Sequence, residues 1–573
     1  MKKNIILGVN YGGHDCAAAL MINGKLVASC EEERFNLEKH TRKFPSNAIN
    51  ECLKIAGIGK NDVTRIAVGY DQKKLIRERF LNLAIKDEKY IDPLIRDINL
   101  VKWVYGIDKE IKKFIGNHAK FDIHEHHLCH LASTYYPSGY KKSLLVSYDG
   151  KGEIASGMFG VGNNGIVRNL NYFKNDYPDS LGLIYSAITF YLGWRPNCDE
   201  GIIMGLAPYG NPFKKIKKLN QRYIDIFRKI IIKKNKYSFE INQDWISYHL
   251  IRNKWVSDKF IKIFGSKRQY DSPINQKHKD IAAALQLRVE EIIIAQLKSL
   301  KKETGINKLC LAGGVALNCS LNGKIERSKI FDEIFVTPAS GDAGIPLGAC
   351  YLSHKKISKN FNFKKNYNFY LGSNFKRNMI NKTLKKYKIN FHDYKNKIYS
   401  VTADLIAKGK IIGWFHGSAE LGPRALGNRS ILCKPYPLKM KDYINKKVKF
   451  REPFRPFAPA VLKEYQSDFF EINQDSYHML IACKVKKNKK NLIPATVHID
   501  GTCRVQTVDK KINLNFYNLL KEFYKITKIP VLLNTSFNIK GQPIVNNPNQ
   551  AIECFLNTKI DYLVIDNFLI SKN

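Results

Sequence analysis

One pattern of secondary structure is predicted twice in the N-terminal part of the chain: a strand, a polar turn, a second strand, a tight turn and a third strand. Residues 5–29 contain the first copy, in which an apolar run ends at Asn10 and an Asn–Gly pair precedes the last strand. Residues 143–167 contain the second copy, in which an apolar run is followed by Asp149 and a further Asn–Gly pair occurs. Asn–Gly between two β-rich runs is a strong signal for a hairpin. The repeat predicts two related halves whose polar turns face each other across a cleft.

Asn10 and Asp149 occupy equivalent places in the two copies, at the end of the first strand. A duplicated layout of this kind is that of actin-like, phosphate-handling folds, in which the backbone N–H groups of the two turns face a nucleotide or an acyl phosphate. The pattern therefore predicts an α/β protein with an actin-like N-terminal domain.

Length and composition predict more than one domain. The chain has 573 residues, of which 44% are hydrophobic and 25% are charged, as in an ordinary soluble protein. No apolar run is long enough for a transmembrane helix, so no membrane partner is expected. After Leu352 the composition becomes rich in Lys, Asn and Tyr. We predict an N-terminal domain over residues 1–355, a linker over 356–398 and a C-terminal domain over 399–573.

The chain is strongly basic, with a formal net charge of +43. Such a charge can attract nucleic acid, but here it is dispersed, and anionic small substrates fit it equally well, so a nucleic-acid partner is not expected. The 12 cysteines are scattered singly. This usage is typical of reduced, buried thiols, and it predicts a cytoplasmic protein without disulfides.

Two histidines and two aspartates are candidate metal ligands. His126 and His130 are four residues apart, which places both imidazoles on one face of a helix. Asp149 follows a predicted strand, and Asp342 lies in a glycine-rich turn. Nitrogen and oxygen ligands in this combination suit a divalent cation. The alternative is that the histidines lie on a helix surface and the aspartates merely form turns.

Four segments of the C-terminal part combine cations or an amide with turn-forming residues. They contain Arg424, Lys449 with Arg455, Arg504, and Asn534. Prolines near several of them fix the backbone, so the side chains are held in place. Converging rigid arginines can bind a polyanion, and we prefer this pocket to the alternative of separate surface arginines.

Four other stretches predict further features. The charged run Glu31–Phe35 is interpreted as a solvated edge that follows the third strand. Gly313 and Gly314, between a buried strand and a helix, would let a phosphate or ribose approach the backbone. The basic segment 211–279 is interpreted as an insertion that lines the rim, and a helix is predicted from Asp280 to Lys302 with Asp280 as its cap.

Taken together, eight motifs in this order resemble the O-carbamoyltransferases of the NodU/CmcH type. The resemblance extends over nearly the whole chain, and its specificity lies in the combination. The motifs are His126-x3-His130, Ser147-Tyr148-Asp149-Gly150, Met204-Gly205-Leu206-Ala207-Pro208-Tyr209-Gly210, Gly313-Gly314-Val315-Ala316-Leu317-Asn318, Gly341-Asp342-Ala343-Gly344, Gly422-Pro423-Arg424-Ala425-Leu426-Gly427, Arg451-Glu452-Pro453-Phe454-Arg455-Pro456 and Leu533-Asn534-Thr535-Ser536-Phe537-Asn538.

The resemblance implies two domains with separate tasks. The N-terminal domain would be actin-like (TsaD-like), with duplicated RNase H-like halves, and the C-terminal domain would be a YrdC-like α/β domain. The C-terminal domain would convert carbamoyl phosphate and ATP (with Mg) into carbamoyl-adenylate. The N-terminal domain would transfer the carbamoyl group to a hydroxyl of a small natural product or sugar.

Roles for individual residues follow from this resemblance and from their chemistry. His14, in the first polar turn, is the candidate base for the acceptor hydroxyl, although a solvated turn histidine is an equal alternative. The metal would be iron(II), with manganese and zinc left open. Metal ligands are His126, His130, Asp149 and Asp342; the carbamoyl-adenylate or nucleotide site is Lys39, Gly313, Gly314 and Asn318; the carbamoyl phosphate and ATP site is Arg424, Lys449, Arg455, Arg504 and Asn534; the acceptor site is Asn10 and Asp149.

Some questions stay open at this point. Many family members have a lysine where this chain has Ile202, so another cation would have to replace it. The alternative functions are a tRNA-modifying carbamoyl-type transferase, which would bind tRNA in a salt-sensitive manner, and a non-enzymatic actin-like binding protein. The acceptor alcohol cannot be named from loops of unknown shape, and a homodimer is one option for the assembly.

Overall fold

The computed structural model describes residues 3–173, 175–216, 219–358 and 364–572. Its N-terminal part contains two five-stranded sheets. The first consists of β1 (Ile5–Asn10), β2 (Ala17–Ile22), β3 (Lys25–Glu31), β4 (Arg65–Val68) and β5 (Lys120–Ile123). The second consists of β6 (Lys142–Tyr148), β7 (Gly157–Asn163), β8 (Ile166–Asn169), β9 (Lys308–Ala312) and β10 (Glu333–Val336).

Both sheets have one topology. The spatial order is β3-β2-β1-β4-β5 in the first and β8-β7-β6-β9-β10 in the second. In each sheet three strands form an antiparallel meander, and the last two strands are parallel to the first. The mixed α/β class is confirmed, and the duplication predicted from the repeated strand–turn pattern is present.

Two helices pack between the sheets and join the halves. They are His126–Ser138, after β5, and Ile345–Ile357, after β10. One buried cluster combines side chains of both helices with Ile6 of β1 and Leu145 of β6. The helices approach so closely that a Cβ atom on Gly348 would lie 1.9 Å from the carbonyl oxygen of Cys129. A glycine is therefore required at this crossing.

A long helix, Gln276–Thr304, covers the outer face of the second sheet. It confirms the predicted helix but begins earlier, because Asn275 is the cap and accepts a hydrogen bond from the amide of His278. The prediction that Asp280 caps the helix was wrong. Asp280 is buried inside it and accepts hydrogen bonds from the Asn211 amide at 2.9 Å and from Gln276 Nε2 at 2.8 Å.

Further helices and hairpins complete the N-terminal part. The helices are Glu33–Asn36, Ser46–Ala56, Gln72–Leu75, Asn82–Lys86, Ile91–Arg96, Ile98–Ile115, Leu181–Tyr191, Glu200–Leu206, Tyr223–Ile230, Asp258–Phe264 and Cys319–Arg327, with a π-helical segment at Ile76–Leu81. The hairpins pair Lys215–Ile216 with Gln221–Arg222 and Ile231–Lys233 with Phe239–Ile241. None of the helices in the described ranges is long and apolar enough to span a membrane.

The segment 211–279, which was predicted to line the rim, also contributes side chains to the core. Its residues 217–218 lie outside the described ranges. Phe227, Trp245 and Phe260 belong to the same core cluster as the second sheet, and Tyr270 lines the large cavity discussed below.

The C-terminal part is built on an eight-stranded mixed sheet with helices on both faces. Its strands are β11 (Phe391–Asp393), β12 (Ile412–Phe415), β13 (Arg429–Cys433), β14 (Ala458–Leu462), β15 (Gln506–Val508), β16 (Val531–Ser536), β17 (Tyr562–Ile565) and β18 (Phe568–Ser571), in the spatial order β11-β18-β17-β12-β13-β16-β14-β15. The helices are Arg377–Lys386, Ile398–Ala407, Lys439–Lys447, Gln466–Phe469, Leu514–Thr527 and Pro548–Leu556. A three-stranded sheet of Phe470–Glu471, Ala482–Val485 and Thr502–Arg504 lies beside it.

The predicted linker contributes to both parts. Residues 359–363 of this segment lie outside the described ranges. Leu371 pairs through its carbonyl oxygen with the amide of Ser29, so residues near it run along the first sheet. β11 pairs with β18 at the edge of the eight-stranded sheet.

The charged run Glu31–Phe35 joins the two parts, so the interpretation as a solvated edge was wrong. Glu31 and Arg34 are 6% and 4% exposed. Arg34 Nη2 donates to the carbonyl oxygen of Gly422 at 2.7 Å, and Glu31 Oε1 accepts from the Gly422 amide at 2.7 Å. The two side chains also pair with each other at 2.7 Å. The charges are buried because each has a partner in a segment that lies far away in sequence.

We expect Gly348→Ala to destabilise the protein by about 2 kcal/mol or more, because the new methyl group would meet a helix backbone that cannot move without separating the halves. Gly106→Ala is the matched control. Gly106 also lies inside a helix, but a Cβ there has open space, so this change should stabilise the protein by up to about 1 kcal/mol. Thermal and denaturant unfolding measure both. Equal midpoints for the two variants would contradict the close helix crossing.

Candidate active site

The four predicted metal ligands lie together. His126 and His130 are fully buried in the first turns of helix His126–Ser138. The carboxylates come from the turns that follow β6 and β10. Asp149 Oδ2 lies 2.9 Å from His130 Nε2 and 3.3 Å from His126 Nε2, and Asp342 Oδ1 lies 3.5 Å from both nitrogens. One ligand atom from each of the four residues falls within 4.8 Å of all the others.

This spacing is that of a coordination shell. The Nε2 atoms of His126 and His130 are 3.1 Å apart. Ligands bound at about 2.1 Å in tetrahedral geometry lie roughly 3.4 Å from one another. Asp342 Oδ1 is a buried acceptor without a hydrogen-bond partner among the described atoms. The donor set and its geometry therefore fit a divalent cation.

The imidazoles and carboxylates of the cluster shift each other's pKa values. Burial lowers the pKa of His130, but its contacts with the carboxylates of Asp149 and Asp342 outweigh burial and raise that pKa to about 9. Burial raises the pKa of Asp149, but His126 and His130 outweigh it and hold that pKa well below the usual range. Two buried carboxylates thus require positive charge nearby, which either a proton or a metal ion can provide.

Backbone amides orient Asp149. Its Oδ1 accepts hydrogen bonds from the amides of Gly150 at 2.7 Å and Gly314 at 3.2 Å, which leaves Oδ2 for the histidines. Gly313 has φ +81° and would place a Cβ 2.1 Å from the Tyr148 carbonyl oxygen, so only glycine lets this loop reach the end of β6. The glycine pair therefore positions a carboxylate; of the two, Gly314 also lines the cavity.

Asn318, the other residue predicted in that loop, lines the cavity as well. Its Oδ1 accepts a hydrogen bond from the amide of Leu321 at 3.0 Å and so caps helix Cys319–Arg327. Its Nδ2 donates to Gln286 Oε1 at 2.9 Å.

Three residues that support the cluster were missed in the sequence. Glu153 accepts hydrogen bonds from the amides of His126 at 3.1 Å and Asp71 at 3.0 Å. His127 contacts Ser147 Oγ and a carbonyl oxygen, and burial lowers its pKa to about 3. The ring of Tyr70 packs on His126 with 4.5 Å between centroids. Glu153 and His127 could have been suspected because they belong to the same turn and helix as predicted ligands.

His14 lies beside the cluster in the turn after β1. Its Nδ1 is 2.9 Å from Asp15 Oδ2 and 4.0 Å from Asp342 Oδ2. His40 Nδ1 contacts the other oxygen of Asp15 at 2.6 Å. Burial lowers the pKa of His14, but Asp15 outweighs it and raises the pKa to about 9. Both imidazoles are thus fixed by one carboxylate.

Asn10 lies behind this turn and is 1% exposed. Its Nδ2 donates to the carbonyl oxygens of His14 at 3.2 Å and Asp15 at 3.0 Å. The structure thus gives its amide a role in closing the turn, and its predicted contact with the acceptor stays a prediction.

The predicted cations of the C-terminal part converge on one cavity. Arg424, Lys449, Arg455 and Arg504 all line it, together with Arg451, which was not predicted. Among the described residues, Arg424 and Arg504 have no carboxylate within ion-pair distance, and the Nε atom of each is buried without a partner. Burial and the neighbouring Arg504 and Arg455 lower the pKa of Arg424 to about 9. Unpaired arginines held this close together favour a bound polyanion.

Hydrogen bonds of Lys449 and Asn534 fix the backbone at the arginine end of the cavity. Lys449 Nζ donates to the carbonyl oxygens of Ser536 and Asn538, each at 2.8 Å. Burial and the charge of Arg451 hold the pKa of Lys449 well below its usual range. Asn534 Nδ2 donates to the Ala425 carbonyl oxygen at 3.2 Å and so holds the loop that contains Arg424.

A single cavity of about 950 Å³ connects the carboxylate–histidine end to the arginine end. Asp149, Asp342 and His14 line one end, and Arg424 and Lys449 line the other. Lys39 also lines it and is close enough to Lys449 to repel its charge. Ile202 lies in the wall and is 5% exposed, so the place of the family lysine is apolar in this chain.

Known proteins match this chain over almost its whole length. A family model described as carbamoyltransferase N-terminus matches residues 5–351, and one described as carbamoyltransferase C-terminus matches residues 403–572. An uncharacterized protein of Synechocystis sp. is 35% identical, over 99% of this chain and 96% of that one. The nodulation protein NolNO of Sinorhizobium fredii is 36% identical over 98% and 79%, and nodulation protein U of the same organism is 25% identical over 98% and 98%.

We expect the protein to bind one divalent cation per chain at the carboxylate–histidine cluster. His130→Ala should weaken binding by more than the roughly 10–100-fold that is typical of changes to outer residues. His118→Ala is the control, because His118 is exposed and outside the cluster. Elemental analysis and anaerobic titration with Fe²⁺, Mn²⁺ and Zn²⁺ measure the content and the affinity. Equal metal content in both variants would refute this site.

Proposed function

We infer that this chain, which belongs to the carbamoyltransferase family, transfers a carbamoyl group to an alcohol oxygen in an ATP-dependent reaction. The family predicted from the motifs is confirmed, and the protein is an enzyme. The main support for the full reaction is the cavity, because cations suited to phosphates and residues of a cluster suited to a metal line the same cavity.

The arginine end suits the activation step. Carbamoyl phosphate, ATP and water would give carbamoyl-adenylate, phosphate and pyrophosphate, and all of these species except water are anions. Arg424, Arg455 and Arg504 would bind the phosphates and stabilise the charge that develops during transfer. We assign this step to the C-terminal part, which would then act as the YrdC-like domain of the pair, with magnesium bound to ATP.

The carboxylate–histidine end suits the transfer step. The acceptor hydroxyl would attack the carbamoyl carbon, AMP would leave, and the hydroxyl proton would pass to a base. His14 Nε2 is the candidate acceptor of that proton, because Asp15, whose other oxygen contacts His40, holds the ring through Nδ1. Lys39 would neutralise the adenylate phosphate. The duplicated, actin-like halves would enclose the acceptor.

A divalent cation fits between His126, His130, Asp149 and Asp342. When bound, it would polarise the carbamoyl carbonyl or hold the phosphate of the adenylate. Imidazole and carboxylate ligands together suit iron(II), manganese or zinc, and we propose iron(II). The nearby positive charge would also lower the pKa of His14 and so favour the neutral imidazole that a base requires.

A shared cavity would let both proposed steps take place in one chain. Carbamoyl-adenylate is a mixed anhydride that water hydrolyses. Passage through a cavity lined by both ends would protect it until the acceptor is in place.

We expect Arg424→Ala to reduce carbamoyl-phosphate-dependent release of pyrophosphate by at least about 100-fold, because the leaving charge would lose a buried cation. Arg222→Ala removes an exposed arginine and should leave the rate unchanged. Release of pyrophosphate in the absence of an acceptor measures the activation step alone. Intact metal binding is the control that the variant is folded. Wild-type protein that released no pyrophosphate with ATP and carbamoyl phosphate would overturn the proposed function.

We expect His14→Ala to reduce carbamoyl transfer by about 100-fold or more while pyrophosphate release continues, because the base acts after activation. Transfer is followed by mass spectrometry with a panel of sugar and natural-product alcohols, and pyrophosphate is measured in the same reactions. If both activities fall equally, His14 is not the base.

A further inference from the structure

The outer face of one long helical segment is largely apolar. Helices Ile91–Arg96 and Ile98–Ile115 are separated only by Asp97, whose carbonyl oxygen accepts a hydrogen bond from the amide of Val101 at 3.0 Å, so the two helices are nearly continuous. Five exposed residues follow one another along this segment at intervals of four and three residues, which places them on one face. They are Ile91, Ile95, Ile98, Lys102 and Tyr105. We call these five residues the outer stripe.

The apolar members of the outer stripe expose much of their surface. Ile95 is 64% exposed and Tyr105 is 62% exposed. Ile91 and Ile98 are each 44% exposed. Single exposed apolar residues are common on proteins, but a row of neighbouring ones marks an interaction surface. None of the five residues lines the large cavity, so this surface is separate from the candidate active site.

The opposite face of the same helical segment fixes its orientation. Val104, Ile107 and Ile111 are buried in the core cluster of the first sheet. Trp103 Nε1 donates a hydrogen bond to the hydroxyl oxygen of Tyr11 at 3.3 Å. Because these contacts hold the helix, it cannot rotate to bury the outer stripe. Another molecule is therefore needed to cover it.

The charge of the segment indicates what kind of molecule this is. Residues 88–113 contain six Lys and Arg residues against five Asp and Glu residues, whereas the whole chain contains 94 against 51. Nucleic acids and anionic lipids are attracted by an excess of positive charge. The nearly neutral surroundings of the outer stripe therefore favour a protein surface.

The two ends of the outer stripe carry charges of opposite sign. Glu88 and Asp92 are exposed near its beginning. Lys102 and Lys109 are exposed toward its end. None of these four residues forms an ion pair within the described ranges. A second copy of the chain in the antiparallel direction would place its basic end against the acidic end of the first, so the surface is complementary to itself.

We propose that two copies of this chain form a dimer in which their outer stripes pack against each other in antiparallel directions. The mean interval of 3.5 residues is that of helices packed along a seam. Ile98 would lie at the two-fold axis, and residues equally far from it on either side would face each other. Ile91 and Tyr105 are each seven residues from Ile98, so they would meet across the interface. Glu88 and Lys109, which are 10 and 11 residues away, would pair.

Sedimentation of the full chain over about 1–100 µM measures the association. We expect the wild type to form dimers and Ile98→Glu to raise the dissociation constant at least about 100-fold, because each dimer would bury two unpaired carboxylates at its axis. Ile166→Glu is the matched control, because Ile166 is also exposed but lies in β8. A wild type that stays monomeric, or equal dissociation constants for the two variants, would overturn the inference.

Cross-linking through introduced cysteines tests the direction of packing. The natural cysteines are buried, apart from the half-buried Cys198. On oxidation with diamide, Ile98→Cys should form a disulfide between two copies, and so should the double variant Ile91→Cys/Tyr105→Cys. Ile91→Cys alone should not, because its two copies would lie about 21 Å apart along the helices. Efficient cross-linking of Ile91→Cys alone would contradict the antiparallel arrangement.

Reversal of charges tests the pairing of the two ends. Lys109→Glu should weaken the dimer by about tenfold, because two ion pairs become two repulsions. Glu88→Lys/Lys109→Glu exchanges the charges and should restore the affinity of the wild type. A double variant that dimerises no better than Lys109→Glu would refute this pairing.

Flotation with vesicles of phosphatidylglycerol and phosphatidylcholine tests a lipid surface as the other occupant. We expect the wild type and Ile98→Glu to behave alike in this assay, because the charge that attracts anionic lipid lies elsewhere on the chain. Vesicle binding that Ile98→Glu abolishes would assign the outer stripe to a membrane surface and overturn the proposed dimer.

Discussion

The contact of Glu31 and Arg34 with both polar backbone groups of Gly422 joins the N-terminal and C-terminal parts beside the cavity. Both the amide and the carbonyl oxygen of Gly422 are bound, at 2.7 Å each, by side chains of the first sheet's end. Arg424 lies two residues beyond, in the same loop. A buried charge pair of this kind contributes little net stability but fixes one geometry, because any other arrangement leaves charges unpaired. This contact with Gly422 lies outside both the arginine end and the metal-ligand end of the cavity. It thereby sets the distance between those two ends.

The two ends of the cavity have opposite electrostatic character. Buried carboxylates dominate one end and raise the pKa of His130 to about 9. Unpaired cations dominate the other and, with burial, lower the pKa of Arg424 to about 9. At the first end the imidazole and carboxylate groups favour each other's charged forms, whereas at the second end the cations repel one another, so an anionic ligand would relieve that repulsion. The proposed intermediate, with an anionic phosphate and a polar carbonyl, would find complementary groups at both ends of this one cavity.

The sequence predicted those parts of the fold and of the site that local patterns determine. Alternation, hairpin turns and glycine positions gave the duplicated sheets, and helical spacing together with strand-end aspartates gave the cluster of His126, His130, Asp149 and Asp342. It could not give contacts between distant segments. Glu31 and Arg34 looked solvated because Gly422 lies 388 residues away from Arg34 along the chain. Gly313 and Gly314 suggested phosphate binding, but Gly313 lies against the Tyr148 carbonyl oxygen and the amide of Gly314 donates to Asp149.

Asn10 and Asp149 occupy equivalent positions in the two halves but have different contacts. This difference makes the site asymmetric. Asn10 ends β1, and its amide donates to two carbonyl oxygens of its own turn, which closes the turn and fixes His14 and Asp15. Asp149 follows β6, and two backbone amides hold one of its oxygens while the other faces the histidines. An aspartate in place of Asn10 has no hydrogen to donate, and an asparagine in place of Asp149 has no charge to offer a cation. One half can therefore supply a positioned base while the other supplies a metal ligand, although both are built on one topology.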